Sequence, residues 1–127
     1  MIESPRLPDA LTEKIRTARL RLLRMHFESG VGHIGGNLSC LDTLMILHQR
    51  VVGPDDLFIL SKGHAAGALY VALWSKGRLS DEDLRTFHAD GTRLAGHPAP
   101  GWLPEIPLDR TLADLLDYWR EHIRNDT

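Results

Sequence analysis

One run in this chain, Leu57-Phe58-Ile59-Leu60, reads as a β-strand, and no second run joins it. It is a short, continuous apolar stretch of the kind found in a fully buried parallel strand. A buried strand leaves amides and carbonyls unpaired unless neighbouring strands supply a ladder. The expected fold is therefore α/β and helix-rich, a partial domain with a single buried strand. The neighbours of that strand must come from outside this sequence.

Everything around the run is helical or turn-like. Residues 10–28 carry Leu11, Ile15, Ala18, Leu22 and Met25 at helical spacing, and Ser29-Gly30 supplies a stop. Leu20, Leu23 and Phe27 fall on nearly the opposite side. A helix with two apolar faces is usually sandwiched, within a large domain or between chains. Residues 31–38 read as a glycine-rich loop, and Ser39 with Asp42 as a capping box opening a helix to about Gln49. Val51-Val52-Gly53-Pro54-Asp55 is a turn region. Gly63 to Lys76 reads as a mostly apolar helix closed by Gly77. Ser80 with Asp83 starts a short helix to about His88.

Residues 89–107 hold Pro98, Pro100, Pro104 and Pro107 and read as an extended surface loop. Thr111 with Asp114 then caps a C-terminal amphipathic helix to about Arg124, bearing Leu112, Leu115, Leu116, Trp119 and Ile123. The expected organisation is a tail over 1–9, one partial domain over 10–107 and the C-terminal helix over 108–127.

The chain has 127 residues, enough for one modest core. Its formal charge is −2, so no overall field draws it to nucleic acid or membrane. Arg16, Arg19, Arg21 and Arg24 cluster on the first helix. At 100° per residue they spread over more than half its circumference, which suits solvated positions better than a binding stripe. Cys40 is the only cysteine, so no intrachain disulfide can form, and it reads as a small packed residue. Met1-Ile2-Glu3-Ser4-Pro5 has no apolar run of the secretory kind, and no stretch is long enough to span a bilayer. A soluble cytoplasmic protein is the expectation.

The residues that carry chemistry are three histidines, each beside glycine. They stand in Gly32-His33-Ile34-Gly35-Gly36, in Ser61-Lys62-Gly63-His64 and in Gly96-His97-Pro98. Glycine lets a backbone or ligand approach an imidazole closely, because no Cβ intervenes. Imidazole titrates near neutrality and suits proton transfer. Ser61 and Lys62 follow the strand, where open α/β sheets gather ligands; a solvated strand-to-helix turn explains them equally. Asn37 and Ser39 could line the same cleft, although capping alone accounts for Ser39. Zinc is the competing chemistry, but wide spacing and one cysteine do not fit the short paired spacings of structural zinc sites. His26, His48, His88 and His122 lie within expected helices and read as ordinary.

Taken in order, these motifs resemble the N-terminal thiamine-diphosphate-binding domain of the transketolase family. The matching text is Gly32-His33-Ile34-Gly35-Gly36-Asn37-Leu38-Ser39, then Asp56 to Ala66, then Gly96-His97-Pro98. The Ser-Lys-Gly-His version is similar to split transketolases, in which one chain carries only the first part of the enzyme. The resemblance implies a thiamine-diphosphate enzyme that moves a two-carbon ketol unit between sugars. It implies catalytic roles for His33, His64 and His97, and cofactor contacts from His64, Ser61 and Gly63. Thiamine diphosphate and Mg2+ are the implied cofactors. The family's Gly-Asp-Gly motif with its downstream Asn, which holds metal and diphosphate, does not occur here. Nor does the pyrimidine-binding domain. The resemblance therefore implies a truncated form of the domain, active only with complementary subunits or through self-association. The alternative is a noncatalytic remnant or binding subunit of the same fold.

Overall fold

The computed structural model describes residues 8–98 and, beyond them, Ala113, Leu116, Asp117 and Arg120, which are helical. The rest of the helix expected over 111–124 lies outside the described residues, as do Pro100, Pro104 and Pro107. The described part is built from α1 (Asp9–Ser29), α2 (Ile34–Arg50), a single 3-10 turn (Gly63–Ala65), α3 (Ala66–Ser75) and α4 (Asp81–Arg85).

Helix α1 follows its periodicity. Leu11, Ile15, Ala18, Leu22 and Met25 are all buried, and Gly30 closes the helix in the left-handed conformation at φ 67°. The second apolar group stays uncovered among the described residues: Leu20 is 60% exposed, Leu23 46% and Phe27 87%. Helix α3 is the centre. Residues 66–72 are buried without a break, and α1, α2 and α4 each pack against it. A helix apolar on all sides belongs inside. Leu22, Met25, Leu41 and Met45 close around it, each adding about 2 kcal/mol by leaving water.

The arginines of α1 are ion-paired rather than presented as a stripe. Arg16 meets Glu13, Arg19 meets Asp42, Arg24 meets Glu28, and Arg21 reaches Asp81 at 3.0 Å. The Arg21 pair bolts α1 to the start of α4. That start is the expected capping box: Ser80 Oγ accepts from the Asp83 amide while Asp83 accepts from the Ser80 amide.

Three expectations need correction. The expected strand is not seen among the described residues, which are helix-rich. Residues 57–60 keep the alternation of a strand, with Phe58 and Leu60 packed on the core and Leu57 and Ile59 exposed. Their backbone lacks a ladder because no other extended run among the described residues lies beside it. Helix α2 begins at Ile34, not at Ser39, so Gly35 and Gly36 are helical. Ser39 Oγ bonds back to the Gly36 carbonyl at 2.9 Å, and Asp42 serves Arg19 instead of a helix end. Finally, α4 stops at Arg85, and His88 is left-handed at φ 62°, donating its amide to the Leu94 carbonyl at 3.0 Å.

Candidate active site

The three glycine-flanked histidines come together. The rings of His33 and His64 lie 4.4 Å apart between centroids, edge to face. Those of His64 and His97 are also 4.4 Å apart. The result is a row of three imidazoles with His64 in the middle, all exposed.

Each member is held by a different element. His33 is the N-cap residue of α2. It follows Gly32, whose φ of 114° is open only to glycine. A Cβ there would also lie 2.8 Å from His26 Cδ2. His64 sits in the 3-10 turn before α3. His97 belongs to the segment after α4, which Tyr70 anchors by donating its hydroxyl to the Ala95 carbonyl at 2.9 Å. Burial pushes the Tyr70 phenol up to about 12, so it stays a neutral donor. Gly63 completes the row: a Cβ at that position would lie 2.8 Å from His97 Cδ2. Its glycine makes room for the neighbouring histidine of the row rather than for the one beside it in sequence.

The row has an electrostatic consequence. The facing His33 imidazole, then desolvation, then His97, hold the His64 pKa below its ordinary value. A proton on either neighbour opposes one on His64. His64 is therefore a neutral imidazole at pH 7, able to accept a proton.

Lys62 does not reach into open solvent. Its ammonium donates to the Gly36 carbonyl and to Ser39 Oγ, each at 3.0 Å, linking the turn to α2. Ser61 is exposed at the same turn and makes no hydrogen bond among the described residues. Cys40 is half-buried, and desolvation raises its thiol, which keeps it unreactive. Among the described residues no three His, Cys, Asp or Glu side chains converge on a point that could hold a metal ion. No helix among them is long and apolar enough to cross a membrane.

Two features escape a local reading of the sequence. Asn37 is 1% exposed and hydrogen-bonded at both ends of its side-chain amide. Two of its three partners are distant in sequence, so no short motif announces them. His26 and His48 are buried, and ring nitrogens on both lack hydrogen bonds among the described residues. The signal for His26 is its position four residues after Leu22, on the buried stripe of α1.

Several curated proteins are similar to this chain in sequence. An apulose-4-phosphate transketolase subunit of Phocaeicola vulgatus is 43% identical over 89 residues, covering 63% of this chain and 32% of the relative. The protein of the same name from Actinobacillus succinogenes is 31% identical over 111 residues, 80% of this chain and 40% of the relative. A 6-deoxy-6-sulfo-D-fructose transketolase subunit from a Clostridium species is 42% identical over 77 residues, 54% of this chain and 28% of the relative. The chain belongs to the transketolase family. It spans about a third of the length of these curated relatives. No protein-family model matches it, and no solved structure does. The histidine row is thus carried by a transketolase-related chain whose described residues are helix-rich.

Proposed function

We propose that this chain is a cytoplasmic subunit of a thiamine-diphosphate-dependent transketolase that moves a two-carbon ketol unit between sugars. Partner chains, or further copies, supply the rest of the site. The observation that carries the reading is the exposed row His33–His64–His97, with ring centroids 4.4 Å apart. Bound thiamine diphosphate would supply the carbanion chemistry of ketol transfer. What remains for the protein is to orient the sugar and to move protons at its carbonyl and hydroxyl oxygens. A neutral His64 between two further imidazoles fits that work. Ser61, Gly63 and His64 share one exposed turn and would border the cofactor.

The residues present fit the magnesium diphosphate less well, since no metal-holding group converges among those described. Metal and diphosphate contacts are proposed to come from outside the described residues. Two unfinished surfaces support the need for a partner: the α1 face of Leu20, Leu23 and Phe27, and the unladdered run 57–60. The donor and acceptor sugars of the named relatives are theirs; only the class, a ketose and an aldose, is proposed for this chain.

Calorimetric titration of the purified chain with thiamine diphosphate and Mg2+ tests the division of labour. The expected result is no measurable binding by the chain alone. Binding and ketol transfer should appear once a complementary chain is added. Micromolar affinity in the isolated chain would overturn the proposal that a partner supplies the diphosphate contacts.

A further inference from the structure

We propose that Asn37 is a positioning residue for the histidine row, its buried side chain tying the backbone of His33 to that of His64. As a statement about catalysis this rests on the transketolase reading; as a statement about ring geometry it does not.

Asn37 Nδ2 donates to the His33 carbonyl at 2.8 Å and to the His64 carbonyl at 3.0 Å. Its Oδ1 accepts from the Ala68 amide at 2.7 Å. Two carbonyls on one side and an N–H on the other leave a single orientation of the amide that satisfies every group. The Ala68 amide lies in the first turn of α3, where helix donors have no partner within the helix. One side chain thus joins the start of α2, the 3-10 turn and the start of α3. The latter two lie 27 and 31 residues further along the chain. Gly67 keeps the space open, since a Cβ there would lie 3.0 Å from Asn37 Oδ1.

No other side chain among the described residues bonds to the backbone of both His33 and His64, although Lys62 also links the turn to α2 at Gly36 and Ser39. The spacing of His64 to His97 is set separately, by the fit of His97 against Gly63. The two halves of the row can therefore be separated experimentally. Alanine cannot make any of the three bonds. Serine can donate to at most one carbonyl at a time. Aspartate would add a charge and raise His64 by itself, so it is not a clean probe.

The test is histidine-selective NMR on the full chain, reading ring-to-ring contacts and the titration of His64. In Asn37→Ala the His33–His64 contact should be lost and the titration of His64 should rise towards that of an ordinary histidine. The His64–His97 contact should persist, which separates local release from unfolding. If Asn37→Ala does not fold, Asn37→Ser is read in the same way and should show the same direction of change. A folded variant that keeps both the His33–His64 contact and the low titration of His64 would overturn the proposal, even if it were less stable. In the reconstituted enzyme, a shift of roughly 1 Å in such a group should cost about a hundredfold in turnover. Reconstituted wild-type chain with no ketol transfer would instead sink the transketolase reading and leave the ring result standing.

Discussion

The chain keeps its histidines in two opposite settings. His33, His64 and His97 are exposed, touch one another and sit on segments that enter or leave helices. His26 and His48 are buried inside helices against Phe87 and Phe58, with ring nitrogens that find no partner among the described residues. Both settings lower a histidine pKa, for different reasons. At His64 the leading cause is a neighbouring imidazole; at His26 and His48 it is burial. A group depressed by its neighbours can still exchange protons with a substrate. A group depressed by burial only makes the fold sensitive to acid.

The largest effect should come from the row. In a reconstituted complex, His64→Ala should lower turnover roughly a hundredfold, the usual scale for a lost proton-transfer group. His48→Leu should leave turnover nearly unchanged. Equal losses from both would erase the distinction between the two settings.

Next in size is a stability effect at the buried histidines. Their folded pKa values lie below the unfolded value, so the unfolded chain binds more protons as pH falls. Stability should be full above the unfolded histidine pKa of about 6.5 and decline as pH falls below it. His48→Leu removes two unpartnered nitrogens and one of these protonation sites. Urea unfolding should show it about 1–2 kcal/mol more stable than the parent, with a larger gain at pH 5.5 than at pH 7.5. A loss of stability at both pH values would mean that the ring has a partner.

The smallest effect on stability is expected at Gly63. Its Cβ would meet an exposed ring rather than backbone, so Gly63→Ala should change stability by less than about 0.5 kcal/mol. It should nevertheless push His97 off His64, seen as loss of their ring contact by NMR. An unchanged contact would show that the row tolerates displacement at that end.

These contrasts are only partly legible in the sequence. The buried stripe of α1 and the Ser80–Asp83 box follow local rules and can be read from spacing. The motifs also name the members of the row. The start of α2 is misleading, because Gly35 and Gly36 disfavour helix while Ser39 and Asp42 imitate a cap. Packing against α3 overrides those preferences. The run 57–60 has the composition of a strand buried on both faces, whereas only Phe58 and Leu60 are covered. Composition cannot distinguish a central strand from an extended segment with one packed face. Along the chain Asn37 shows itself as no more than a candidate cleft residue. Its role depends on carbonyls that meet it through the fold, and such meetings leave no pattern in the sequence.

In the run Leu57-Phe58-Ile59-Leu60, uncharged apolar residues with an open backbone edge offer a template for intermolecular sheet growth. Asp55 and Asp56 stand on one flank and Lys62 on the other, and the aspartates are exposed. Such flanking charges act as gatekeepers, because stacked copies would bring like charges into register. The same backbone should exchange its amide hydrogens as fast as an unfolded peptide until another strand is laid along it.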